Sequence, residues 1–137
     1  VTTERTAAVA LGCNLGDCAA HLAFAVAQLQ GTPGVTWEAT TPQELTAPLG
    51  GLEQPPYLNA MVRVRTTLSP EAFLEVCHAI ERGAGRERPA KWASRTLDLD
   101  VVCMSDAMCD RPDLTLPHPG LRDRPFWARQ LAALEDA

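Results

Sequence analysis

The chain has 137 residues, a formal net charge of −5 and a pI near 5.1. That length fits one domain, residues 1–137, able to bury roughly two-thirds of its unfolded surface, and the acidic balance excludes the broad basic footprint of a nucleic-acid-binding surface. No apolar run approaches membrane-spanning length and no leader pattern precedes the first apolar segment, so a cytoplasmic domain with neither membrane nor nucleic acid as partner is expected.

Taken in order, residues 7–11 form a short apolar strand and residues 12–17 its turn. Asp17 suits the N-cap of an alanine-rich helix to about Gln30, with Leu22, Val26 and Leu29 at helical spacing, and Gly31, Pro33 and Gly34 stop it. A threonine-rich extended segment, 35–45, leads into a Pro/Gly loop, 46–56. Residues 57–66 alternate as a strand: Leu58, Ala60, Val62 and Val64 face one way, Tyr57, Asn59, Met61 and Arg63 the other. Ser69 and Pro70 open a second helix, carrying Phe73, Leu74, Cys77 and Ile80 inward as far as Gly83. A basic loop, a strand around Asp98, a small hairpin near Ser105 and Asp106, and a final helix from about Pro125 through Leu131 and Leu134 complete the chain. The order β-α-β-β-α-β predicts an α+β, ferredoxin-like domain: an antiparallel sheet with helices on one face and a C-terminal helix added. Cys13, Cys18, Cys77, Cys103 and Cys109 are odd in number and lack metal-ligand spacing, which predicts free thiols in a reducing compartment, with Cys77 and Cys103 in the core.

The stretch Arg95-Thr96-Leu97-Asp98-Leu99-Asp100-Val101-Val102 carries the most chemistry. In a strand, Asp98 and Asp100 share one face while Leu97, Leu99 and Val101 enter a core. An isolated Asp-x-Asp also suits a half-buried strand with an acidic outer face, but aspartate is depleted in strands. Hard cations such as Mg²⁺ are held by one or two carboxylates plus substrate phosphates. Just upstream, residues 82–95 concentrate Arg82, Arg86, Arg88, Lys91 and Arg95, five of the twelve Lys and Arg residues. Arginines of this kind bind phosphate bidentately, and with metal-binding carboxylates they are the parts of phosphoryl transfer.

Residues 91–102, Lys91-Trp92-Ala93-Ser94-Arg95-Thr96-Leu97-Asp98-Leu99-Asp100-Val101-Val102, are joined by three further blocks. These are Leu11-Gly12-Cys13-Asn14-Leu15-Gly16-Asp17; Thr46-Ala47-Pro48-Leu49-Gly50 with Gln54-Pro55 and Tyr57-Leu58-Asn59-Ala60; and Leu114-Thr115-Leu116-Pro117-His118-Pro119 with Arg124 and Phe126. Together they resemble the 6-hydroxymethyl-7,8-dihydropterin pyrophosphokinases, which transfer pyrophosphate from ATP to a pterin alcohol in folate biosynthesis. The resemblance implies ATP as co-substrate and two Mg²⁺ ions on Asp98 and Asp100. It assigns Arg86 and Arg95 to the charge that develops during transfer, and Thr46, Leu49, Tyr57, Asn59, Trp92 and Phe126 to the pterin. It assigns His78, Glu81, Arg88, Trp92, Arg95, Val101, Thr115, His118 and Arg124 to the nucleotide. This sequence departs from the family pattern at Cys13 (usually Ser), His78 (often Gln), Pro89 (Lys in some members) and Asp113 (Arg in some), and it stops at Ala137, where members usually continue. Loops 47–56 and 83–94 are expected to close on bound ATP. Monomer and homodimer are both open, as are two alternatives: another Mg-dependent phosphotransferase, and a non-catalytic pterin- or nucleotide-binding module.

Overall fold

A computed structural model describes residues 4–47, 56–84, 97–105, 109–111 and 114–135. The first strand, β1 (Arg5–Cys13), is apolar on both faces: Ala7, Val9, Leu11 and Cys13 are buried on one side, Ala8 and Ala10 on the other. A strand covered on both faces belongs inside a sheet. Accordingly β1 lies between β4 (Tyr57–Thr66) and β5 (Asp98–Met104), antiparallel to both. The far side of β4 pairs with β2 (Val35–Thr40) and with the three-residue β3 (Glu44–Thr46), so the sheet order is β2-β4-β1-β5, with β3 beside β4. A separate hairpin joins β6 (Cys109–Arg111) and β7 (Leu114–Leu116). The fold is α+β, with a mostly antiparallel sheet and three helices among the described residues.

Two helices build the larger core. In α1 (Cys18–Gln30) the Asp17 carboxylate accepts the Ala20 N–H at 3.1 Å, and Leu22, Ala25 and Leu29 are buried. In α2 (Pro70–Gly83) the Ser69 hydroxyl accepts the Ala72 N–H at 3.1 Å, and Phe73, Cys77, Ile80 and Glu81 are buried. Phe73, Leu11, Leu22, Leu29, Val9, Val62 and Val64 are fully enclosed on this side, each contributing roughly 1.5–3 kcal/mol. The third helix, α3 (Pro125–Glu135), lies on the opposite face, where Trp127 and Leu134 cover Ala8, Ala10, Met61 and Val102.

Several expectations are corrected. The two helices of the β-α-β-β-α-β unit, α1 and α2, do share one face as expected, but the second face is not bare: β1 and β4 bury side chains there too, and the added helix α3 covers them. Val26 is only half-buried; Ala25 takes the inward position. The segment 35–45 is two strands, interrupted where Thr41 turns inward and its hydroxyl accepts the Met61 N–H at 2.9 Å. Ser105 is a turn residue just past β5, donating its N–H to Thr6 O at 2.8 Å, and the hairpin among the described residues is the later one of β6 and β7. Cys13 and Cys18 are not free thiols: the turn brings their Cα atoms to 5.4 Å, within the usual disulfide range, and the sulfurs are joined. Cys77 is buried and free as expected, but Cys103 is only half-buried. Asp106 lies outside the described residues.

Candidate active site

The side chains of Leu97, Leu99 and Val101 enter the α1/α2 core, which turns Asp98 and Asp100 to the α3 side, both half-buried. β5 is a sheet edge, so part of its backbone faces away from β1. There Glu81 of α2, itself buried, accepts the Leu99 N–H at 2.9 Å and fixes the residue between the two aspartates. Further along, Ala8 pairs with Cys103 but Val9 with Val101, so Val102 is an extra residue in β5. Its side chain reaches the α3 core, and its carbonyl accepts the His118 N–H at 2.8 Å.

That bond sets His118 beside Asp100. Nδ1 of His118 accepts the Gly120 N–H at 2.8 Å at the start of a short 3-10 helix, Pro119–Arg122. An accepting Nδ1 leaves the ring proton on Nε2, and Nε2 faces Asp100 Oδ1 at 3.9 Å. Burial and the Arg124 charge hold the His118 pKa below its ordinary 6.5. Asp100 would pull the other way, but at this distance and half exposed it is outweighed. The ring meets Trp127 edge-on with centroids 5.0 Å apart, and the Arg124 guanidinium carbon lies 4.7 Å from the Trp127 centroid.

Register connects these groups to the other half of the site. Gly12 pairs with Asn59 on one side and Asp98 on the other, and Asn59 pairs with Glu44. Directly opposed residues share a face, so Glu44, Asn59, Gly12 and Asp98 form one row across the sheet, a step beyond Met61, Ala10 and Asp100. With strands ~4.8 Å apart, Asn59 and Asp98 stand roughly 10 Å from each other across the glycine. The Asn59 amide donates to Thr46 Oγ1 at 2.6 Å and to Tyr57 O at 3.0 Å. Its Oδ1 is thereby turned toward Gly12: a Cβ there would lie 3.4 Å from that oxygen and 3.8 Å from Tyr57 Cδ1. The glycine thus leaves a notch walled by Asn59 and Tyr57, with Asp98 beyond. Phe126, half-buried at the start of α3, packs against the α3-side core and meets Trp127 edge-on at 6.5 Å.

A family model described as 7,8-dihydro-6-hydroxymethylpterin-pyrophosphokinase matches residues 8–136. The chain belongs to this pyrophosphokinase family. A 2-amino-4-hydroxy-6-hydroxymethyldihydropteridine pyrophosphokinase of Methylorubrum extorquens is 41% identical over 124 residues, which is 90% of this chain and 78% of that protein. The Synechocystis protein of the same name is 38% identical over 128 residues, 93% of this chain and 65% of that protein. The Bacillus subtilis one is 35% identical over 126 residues, 92% of this chain and 75% of that protein.

Of the residues that the family resemblance singles out, the sheet brings together Thr46, Tyr57, Asn59, Asp98 and Asp100, and the segment after β7 adds His118. Arg124 and Phe126 follow beside Trp127. Thr115 is half-buried on β7. His78 lies on α2 with Nδ1 3.8 Å from Glu75 of its own helix, and Val101 has its side chain in the core, leaving only its backbone for a ligand. Leu49, Arg86, Arg88, Trp92 and Arg95 lie outside the described residues. Two hard-oxygen carboxylates on neighbouring positions of an edge strand fit Mg²⁺ completed by phosphate and water; no group of three or more His, Cys, Asp and Glu suited to a metal occurs among the described residues. Sequence reading missed Glu44, Gly120, Trp127, Arg129 and Gln130. Glu44 meets Arg129 across 85 positions of sequence, a separation at which no local pattern signals a contact.

Proposed function

We propose that the chain transfers a pyrophosphoryl group from ATP to the hydroxymethyl group of 6-hydroxymethyl-7,8-dihydropterin, giving AMP and the pterin pyrophosphate, a step in tetrahydrofolate biosynthesis. The row Asn59-Gly12-Asp98 carries this reading, and the family match supports it. A flat pterin over the side-chain-free Gly12 meets an amide at one end and a carboxylate at the other. The strand order supports a ferredoxin-like arrangement, with β2 and β3 as one interrupted edge.

Asn59 and Thr46 hold the pterin edge, and Tyr57 and Phe126 flank its ring; Leu49 and Trp92, outside the described residues, are assigned to the pterin by the family resemblance. Asp98 and Asp100 would hold two Mg²⁺ ions, which would neutralise the triphosphate and polarise its oxygens. The alcohol oxygen attacks the β-phosphorus, the bond to the α-phosphate oxygen breaks, and AMP leaves; the alcohol proton passes to solvent. His118, neutral with its proton on Nε2, donates to a phosphate oxygen beside Asp100. Arg86 and Arg95 stabilise the developing charge, while His78, Arg88, Val101, Thr115 and Arg124 line the nucleotide. Glu81, committed to Leu99, acts by keeping Asp98 and Asp100 in place.

The test is to incubate the protein with ATP, Mg²⁺ and the pterin and separate the products. AMP and pterin pyrophosphate should appear in equal amounts and only with all three present. AMP or ADP formation indifferent to the pterin would favour another phosphotransferase, and binding without turnover a non-catalytic module.

A further inference from the structure

The buried stripe of α3 is Trp127, Gln130 and Leu134, and the middle residue is an amide only 2% exposed. A polar group there is costly unless it is bonded. Gln130 Nε2 donates to Glu44 Oε1 at 2.9 Å, while Arg129 donates from Nη1 to Oε1 and from Nη2 to Oε2, each at 3.0 Å. Two consecutive residues of α3 therefore grip both oxygens of one carboxylate on β3. The same three-residue strand carries Thr46, whose hydroxyl accepts from Asn59, and Glu44 is itself the register partner of Asn59. On α3, Phe126 stands four residues before Gln130, on the same side of the helix. So short a strand has few ladder bonds to hold it, and the clamp joins its outer edge to the helix that bears Phe126.

We infer that Glu44, Arg129 and Gln130 are positioning residues that set the separation between the Tyr57/Asn59/Thr46 wall and Phe126, and so fix affinity for the pterin acceptor without touching the ATP side. This rests on the pyrophosphokinase reading of the site. The Arg129 guanidinium holds the Glu44 carboxyl below its usual range, so the grip persists across neutral pH.

The experiment measures pterin binding by calorimetry with a non-hydrolysable ATP analogue and Mg²⁺ present, and analogue binding separately. Arg129 is largely exposed, so Arg129→Ala should fold normally. It and Glu44→Ala should each weaken pterin binding by roughly three- to tenfold with analogue binding little changed; the melting temperature should hold in Arg129→Ala and fall in Glu44→Ala, which strands the buried Gln130 amide. The double variant should be no weaker than Glu44→Ala, since both remove one interaction. Exchange of the charges, Glu44→Arg with Arg129→Glu, should recover most of the affinity. Unchanged pterin affinity in Arg129→Ala, or equal loss for both ligands, overturns the clamp while leaving the function standing. A wild-type chain that binds no pterin overturns both, and one that binds pterin without turning it over overturns the function while the variants still test the clamp.

Discussion

Asp98 and Asp100 owe their common direction to strand alternation and their steadiness to the bond between Glu81 and the residue between them. If they carry the metals, Asp98→Asn and Asp100→Asn should each lower turnover by about a hundredfold or more with the melting temperature nearly unchanged. Near-normal AMP formation by both would remove the metal assignment. His118 gives a prediction in pH. Above its ordinary 6.5 the ring is neutral folded or unfolded. As pH falls below that value the unfolded chain takes up the proton first, so stability falls until the lowered folded-state pKa is passed. His118→Asn keeps an acceptor for the Gly120 N–H but cannot titrate there. Chemical denaturation at about pH 5 and about pH 8 should show a smaller difference for this variant than for wild type; an equal difference would show that His118 is not the group responsible. The Asp pair was legible because its signal is local. Glu44 was not, because a strand glutamate reads as a solvated charge until α3 arrives from the far end of the chain.

At the scale of elements, the capped starts of α1 and α2 were readable from Asp17, Ser69 and Pro70, since capping is decided within one turn. The hairpin was misplaced because Ser105 has turn chemistry, yet its N–H and hydroxyl are spent on Thr6 of β1. The link between α2 and β5 was likewise hidden, as a helix glutamate looks exposed until its strand partner is known. Glu81→Ala leaves the Leu99 N–H without this acceptor in a buried place, which should cost about 1–3 kcal/mol in denaturant unfolding; Glu81→Gln, which keeps an oxygen there, should cost less. Equal costs would mean that the charge, not the hydrogen bond, matters. At the 3-10 helix a Cβ on Gly120 would run into the Arg124 guanidinium and lie 2.9 Å from His118 Nδ1 and 3.0 Å from Trp127 Cζ3. Gly120→Ala should therefore destabilise by about 1–3 kcal/mol and weaken ATP binding by displacing His118; unchanged ATP affinity would separate His118 from the nucleotide.

For the whole molecule, the class of fold followed from element order and hydrophobic period, but the layering did not. Ala8 and Ala10 are too small to announce a second buried face, and only Trp127 and Leu134 closing over them and over Met61 and Val102 make one. That second layer matters because the row Asn59-Gly12-Asp98 lies at its end, where sheet, α3 and the segment after β7 converge. In the proposed reaction this row directs a pterin alcohol at the β-phosphorus of ATP. Phosphorus NMR of the complete reaction tests it most directly. The β- and γ-phosphorus signals of ATP should be replaced by two coupled signals of a pterin pyrophosphate, alongside AMP. A single phosphate on the pterin together with ADP, or free pyrophosphate with unchanged pterin, would contradict it.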